Sequence, residues 1–377
     1  MALLYYRRYW CQYAGRMSSV LMLVGSLRSG GAEGQTVLLA NEFAAAGLDV
    51  CLAVLDGSAP PAFTPSKRVD VVELGHGGWR GLCVALWRLR RLARQHTVLV
   101  GFLDLSNAML CMLRRSGQRV VCNVRSAGIA SGWIARLSFQ LALTFTRNAD
   151  VLVANAEAVR RFYVARGFRH DNFVVIGNGV DTQQFKPDGE AKTSLCEELG
   201  VDPEQPLIGF FARYRAEKRH DLCLQAFALA DLDAIMVCAG SGVDSDNRDL
   251  VSAIEHLDLQ HKVHLLGERS DMARLNAGVD MAISASDFEG TSNSLLEAMA
   301  CGLPCVATDV GGSAELIGTG GLLVPANDAL GLSNALKRLV GDPELRAVFA
   351  SDALARVHAH YKKELSVRAH LAVVYGS

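Results

Sequence analysis

The sequence predicts an α/β protein made of two doubly wound, parallel-sheet domains. Three observations lead there. Short apolar runs alternate with stretches of helical period along nearly the whole chain, the pattern of repeated βα units. The chain has 377 residues, half of them apolar, enough to bury two cores. Near the middle, Asn178-Gly179 followed by Phe185-Lys186-Pro187 has turn and linker composition. The boundaries expected from this are 17–180 and 181–359.

The elements follow in order. Residues 17–24 read as a first strand; residues 1–16 fit no element and are expected to be a mis-set start or a mobile tail. A glycine turn containing Gly25, Gly30 and Gly31 leads into a helix whose Val37, Leu38, Phe43 and Ala44 keep a helical period. Such a turn lets backbone approach a ligand closely. A dinucleotide-binding reading, with Asp56 as the ribose acid, fails because these glycines do not form G-x-G-x-x-G. Strands are expected at 50–55, 69–74, 98–103, 119–124 and 151–154, with helices at 79–95, 106–115, 131–147 and 156–166. A second series has strands at 207–211, 234–239, 263–266, 281–285 and 305–308. Helices at 343–358 and 362–375 have no strand after them.

Composition narrows the classes. No apolar run reaches the ~18 residues needed to span a bilayer, and the start does not resemble a cleavable signal peptide, so a cytoplasmic protein is expected. The ten cysteines form no C-x-x-C, which suggests neither zinc nor a thioredoxin-like motif; most read as small buried hydrophobes. Residues 1–180 hold 21 Lys+Arg against 10 Asp+Glu, a balance of +11, and the remainder balances at −12. That polarity points to a charged partner for one half. No nucleic-acid partner is expected.

The most informative stretch is 287–304, Asp-Phe-Glu-Gly-Thr-Ser-Asn-Ser-Leu-Leu-Glu-Ala-Met-Ala-Cys-Gly-Leu-Pro. An apolar strand leads in, and Gly290-Thr291-Ser292-Asn293 is a small polar turn entering a helix that Gly302 and Pro304 close. A strand–turn–helix of this kind offers free backbone N–H groups and a positive dipole end to a phosphate or sugar hydroxyl. Glu289 and Glu297 flank the turn. On spacing alone, Ser294 and Glu297 also satisfy a capping box, and Glu289 fits a solvated loop carboxylate.

This stretch resembles the E-x7-E motif of retaining glycosyltransferases of the GT-B fold, family 4. The resemblance implies two Rossmann-like domains facing a cleft, with the final helix (360–377) crossing back to the first domain through Leu365, Val367, Leu371 and Val374. It implies that Glu289 meets the donor sugar and Glu297 the ribose, with Gly290, Thr291, Ser292 and Asn293 lining the donor. Asn178-Gly179-Val180-Asp181 and Phe185-Lys186-Pro187 resemble the family's linker signature. Gly30-Gly31-Ala32-Glu33 resembles its first-domain loop, across the cleft from the donor.

Arg213 follows the strand 207–211, and Lys218 is expected at the start of the next helix. The two cations can converge on one anion or form a solvated basic turn. In the family this pair clamps the donor diphosphate, though Ala212 stands where Gly is usual. Gly267 resembles the loop covering the nucleobase, and Gly240 is expected on the donor side. Asp244-Ser245-Asp246 looks like a D-x-D metal motif, but the resemblance implies no metal and no cofactor, only a UDP- or GDP-linked sugar as co-substrate. Arg125 stands where many members place a His, and would bond a sugar hydroxyl or an acceptor phosphate.

The expected function is therefore transfer of a sugar, with retention, to a glycan or lipid-linked acceptor. The alternatives are a non-catalytic nucleotide-sugar scaffold and an epimerase on the same fold. Residues 79–94 set Leu82, Leu86, Leu89 and Ala93 on one face and Trp87, Arg91 and Arg94 elsewhere. That arrangement fits either an interfacial helix on an anionic membrane, with the protein peripheral at its cytoplasmic face, or a crossover helix with a solvated Arg face.

Overall fold

The computed structural model describes residues 19–376 apart from 29, 59, 76–77, 130–131 and 169. The expectations for residues 1–16 lie outside the described residues, as do those for the side chain of Leu82. The chain forms two compact units. One comprises the described residues up to Arg125, Ile129–Ile176 and the chain from Val367; the other comprises Ser126–Gly128 and Gly177–Ser366.

In the first unit, β1 (Ser19–Ser26), β2 (Asp49–Asp56), β3 (Asp70–Glu73), β4 (Val98–Phe102), β5 (Arg119–Val124), β6 (Val151–Ala154) and β7 (Phe173–Val175) form one parallel sheet. Its order is β3-β2-β1-β4-β5-β6-β7. The helices are α1 (Gly31–Ala45), α2 (Gly78–Ala93), α3 (Asp104–Leu113), α4 (Trp133–Phe145) and α5 (Glu157–Ala165).

The second unit holds β8 (Leu207–Phe211), β9 (Ile235–Ala239), β10 (Val263–Leu265), β11 (Met281–Ser284), β12 (Cys305–Thr308) and β13 (Gly321–Val324), in the order β10-β9-β8-β11-β12-β13. Its helices are α6 (Ala191–Leu199), α7 (His220–Ala230), α8 (Arg248–His256), α9 (Met272–Gly278), α10 (Asn293–Ala300), α11 (Ser313–Ile317), α12 (Ala329–Gly341) and α13 (Pro343–His360). The last helix, α14 (Lys363–Tyr375), lies mostly in the first unit.

The central strands β8 and β9 are buried at every position and carry no polar side chain. Ile208 and Phe210 enter one core and Leu207 and Phe211 the other, and β9 divides likewise between Met236 and Val237. Two-sided burial is why these strands read as continuous apolar runs. In the first unit, Val37, Leu39 and Phe43 of α1 share a core with Val20, Met22 and Val24, and with Val367, Leu371 and Val374 of α14. Each such side chain, fully buried, contributes about 1.5–3 kcal/mol. Leu365 is only half-buried and lies outside that core.

Helix α2 buries Leu89 and Ala93 within its own unit. Part of the face expected to enter a membrane is thus occupied, with Leu86 half-buried, and α2 exposes Cys83, Val84, Trp87, Arg88, Arg90 and Arg91, with Arg94 exposed just past its end. Arg91 sits over the Trp87 ring. Eight of the nine described cysteines are buried; Cys83 is the exposed one. Burial pushes the Cys238 and Cys305 thiols up to about 12, which leaves them unreactive packing residues.

Candidate active site

In the second sheet the chain proceeds outward from β8 to β9 and β10, then returns to β11 on the other side of β8. The reversal between β8 and β11 opens a crevice beyond their carboxyl ends, where open α/β sheets bind ligands. The segments after β8 and β11 carry the two expected motifs.

The segment after β8 is tied to its neighbour. Ala212 N–H donates to the Ala239 carbonyl at 3.0 Å and Tyr214 N–H to Ser241 at 2.9 Å, with the half-buried Arg213 between them. Gly240 must be glycine. Its φ is 150°, and a Cβ there would lie 2.3 Å from the Ala212 carbonyl oxygen. Gly240 N–H donates to the Gly267 carbonyl and Gly267 N–H to Val243, both at 2.8 Å. The two expected donor-side glycines therefore latch neighbouring strand ends, and the backbone polar groups of Gly267 are already engaged.

Lys218 does not begin a helix as expected. It closes a 3-10 turn, Ala216–Lys218, and Arg219 in left-handed conformation separates that turn from α7. The Lys218 ammonium is ion-paired with Glu289, and the same carboxylate oxygen of Glu289 accepts from Ser286 Oγ at 2.8 Å. The pair is largely enclosed, with side-chain exposures of 20% and 12%. Glu289 is thus no solvated loop carboxylate. It is the counter-ion of the cation expected to meet the diphosphate.

The turn between the two glutamates is braced from both sides. Asn178 Nδ2 donates to the Thr291 carbonyl at 3.2 Å and to Asn293 Oδ1 at 2.6 Å. Gly312 N–H donates to Gly290 at 3.1 Å, and Thr308 Oγ1 to the Ser286 carbonyl at 2.6 Å. Helix α10 starts at Asn293 with Ser292 as its N-cap, and no side chain caps it. Ser294 therefore stands inside the helix, and the capping box does not form. That frees Glu297 from the bland role. Loss of water pushes its carboxyl up to about 8. Leu303 N–H returns to Ala298 past Gly302 at φ 80°, ending the helix as expected.

Asp244 and Asp246 make a local turn instead, Asp246 N–H donating to Asp244 Oδ1 at 3.1 Å ahead of α8. In the first unit, Gly30 caps α1 and Gly31 is its exposed first residue. Asp56 pairs with Arg28 at 3.3 Å. Arg125 directly follows β5 and is buried, 5.1 Å from the Phe102 ring centroid, with Asn123 Oδ1 accepting at 3.4 Å. Burial lowers its guanidinium to about 10, still a cation at neutral pH.

Sequence reading missed Ser286, Arg219 and the Gly312 support, and placed Asn178 in a linker. A polar Ser beside the first Glu was the one visible signal among these.

Comparison with known proteins decides the class. The family model described as Glycosyltransferase Family 4 matches residues 29–184, and that of Glycosyl transferases group 1 matches 205–342. The lipopolysaccharide core biosynthesis mannosyltransferase LpsB of Rhizobium meliloti is 30% identical over 339 residues, covering 86% of this chain and 88% of the relative. The chain belongs to glycosyltransferase family 4. A second core mannosyltransferase, LpcC of Rhizobium leguminosarum, is 29% identical over 68% of this transferase and 76% of its own length. Among solved structures, Anabaena HepE in complex with UDP-glucose superposes with a TM-score of 0.81 at 21% identity, over 96% of this chain and all of that one. The lipopolysaccharide glycosyltransferase WaaG gives 0.73 at 17% over 95% of this chain and all of that one. The transferase has the GT-B fold, and it moves a sugar from a nucleotide-sugar donor.

Proposed function

We propose that the transferase works with retention and without a metal, moving a hexose from a UDP- or GDP-linked donor onto a sugar hydroxyl of a lipid-anchored glycan of the lipopolysaccharide-core type. The observation that carries this reading is the enclosed Lys218–Glu289 pair, offered from the two strand ends that flank the switch point. A diphosphate entering there draws Lys218 towards itself, with Arg213 as second cation, and releases Glu289 to a sugar hydroxyl. Glu297 accepts from the ribose.

In the reaction the bond from C1 to the β-phosphate oxygen breaks while the acceptor oxygen bonds C1 on the same face. The acceptor proton passes to the departing phosphate oxygen. Charge developing on that phosphate is what Arg213 and Lys218 stabilise. Mannose is the first sugar to test, since LpsB and LpcC are core mannosyltransferases.

The acceptor side is read from charge and exposure. The first half carries the +11 balance. Trp87 is 62% exposed on the cationic face of α2, and Trp133, Ile134 and Leu137 are exposed on α4. Exposed aromatic and aliphatic side chains near arginines, on α2 and separately on α4, suit the surface of an anionic membrane, each basic residue adding about 1 kcal/mol there. No helix among the described residues is long and apolar enough to cross a membrane.

The test is transfer from GDP-mannose and UDP-glucose, in EDTA, to a core oligosaccharide, with the product anomer read by NMR and flotation run in parallel on anionic and neutral vesicles. Expected are retained configuration, undiminished activity in EDTA and flotation with the anionic vesicles at low salt. Inversion, or activity lost to EDTA and restored by Mn²⁺, would remove the mechanism. Equal failure to float with both vesicles would remove the membrane.

A further inference from the structure

Arg219 occupies a backbone position that favours glycine or asparagine. Its φ and ψ are 51° and 55°, between the Ala216–Lys218 turn and α7. A long side chain held in left-handed conformation is a strained choice, and such strain persists where the surroundings use it. Here the side chain is used. Its guanidinium donates to both carboxylate oxygens of Asp221, to Asp287 Oδ1 at 2.9 Å and to Asn327 Oδ1. Those partners belong to three segments, the start of α7, the turn after β11 and the turn after β13. Asn327 is itself left-handed, at φ 60°. Only 23% of the Arg219 side chain is exposed.

A second bond runs parallel to this one. Asp287 N–H donates to the Glu217 carbonyl at 2.9 Å. The residues immediately before and after Lys218 are thus both fastened to Asp287, two positions before Glu289. The enclosed Lys218–Glu289 pair sits beside this double fastening. Two flexible side chains on different turns, 71 residues apart, keep one geometry only if the turns themselves keep register. A 1 Å displacement of a positioned group is enough to lower a rate 10²-fold.

We propose that Arg219 is a positioning residue for sugar transfer, its guanidinium holding the turn that carries Lys218 in register with the turn that carries Glu289. It touches neither donor nor acceptor. This rests on the roles given to Lys218 and Glu289 above. Because Arg219 stays clamped to Asp287 and Asn327, Lys218 can leave Glu289 for the diphosphate without the turn following it.

The test uses the full chain and the Arg219→Gly variant, which relieves the left-handed strain while removing the guanidinium. Transfer from GDP-mannose and UDP-glucose is measured as kcat and donor KM, beside melting temperature. Expected is a melting temperature at or near the wild-type value, kcat lowered tenfold or more, and donor KM changed less than threefold. Arg219→Lys, which keeps one cation near Asp287, should recover part of kcat. Asp287→Asn should lower kcat as well, and adding it to Arg219→Gly should lower it little further, since both remove the same bond. Arg219→Gly with kcat within twofold of wild type, in an assay where Lys218→Ala is inactive, would overturn the positioning role alone. Wild-type turnover in Lys218→Ala would overturn that role together with the reading beneath it. A loss in Arg219→Gly that merely follows a lowered melting temperature, and that Arg219→Lys does not relieve, would also overturn it.

Discussion

Lys218→Ala should lower kcat for sugar transfer by roughly 10²-fold or more, the scale for removing one preorganised group that stabilises developing charge. The ammonium is held by Glu289, and Glu289 by Ser286, so a cation is kept at the crevice before any ligand arrives. Removing it leaves an enclosed carboxylate with a neutral hydroxyl for company. Uncompensated charge of this kind destabilises, so the variant should also melt lower than wild type. The two effects separate in the double variant Lys218→Ala/Glu289→Gln. There the stranded charge is gone and melting should recover, while kcat stays low. Recovery of both together would show that Lys218 serves only the fold. A folded Lys218→Ala with near-normal kcat would remove it from the chemistry.

Glu297→Gln should act oppositely on stability and on binding. The folded carboxyl holds its proton to about pH 8, against an ordinary value of 4.5. Between those values the folded state binds more protons than the unfolded, so stability falls as pH rises through that window. Keeping Glu297 ionised above it costs roughly 3–5 kcal/mol as an upper bound. The amide carries no such penalty. Urea unfolding should therefore find the variant close to wild type near pH 5 and more stable above pH 8. At pH 8.5 its affinity for a nucleoside diphosphate should nevertheless fall, because there an ionised acceptor for the ribose hydroxyls has been lost. A residue that weakens the fold and strengthens binding is one retained for function. A variant less stable than wild type at pH 8.5 would instead mark Glu297 as structural.

Much of this was legible in the sequence, for identifiable reasons. Strands β8 and β12 are buried throughout, so Leu207–Phe211 and residues 305–307 announce themselves as unbroken apolar runs. Strand β13 was missed because three of its four residues are only half-buried and it opens on Gly321, where a Cβ would meet the Cys305 carbonyl oxygen at 2.0 Å. Helix α6 follows the Pro187 linker closely and reads as part of it. Glu289, Glu297, Arg213 and Lys218 were each visible from local motif. Their partners were not, because a parallel sheet brings together strand ends that lie far apart in sequence. Asn178 reaches Asn293 across 115 residues, and Arg219 reaches Asn327 across 108. The capping-box alternative fails for the converse reason. Its spacing is purely local, and the helix begins two residues too early to use it.

The claim on which everything else depends is that the second unit holds a nucleoside diphosphate at the ends of β8 and β11. Thermal unfolding with UDP, GDP, UDP-glucose and GDP-mannose, each in EDTA, tests it most directly. A ligand at 100 times its Kd adds about 2.7 kcal/mol, several degrees for a unit of this size. Nucleotides of one base should raise the melting temperature by that amount in wild type and raise it far less in Lys218→Ala and Glu297→Gln. An unchanged melting temperature with all four nucleotides would contradict the account, as would a rise that both variants preserve in full.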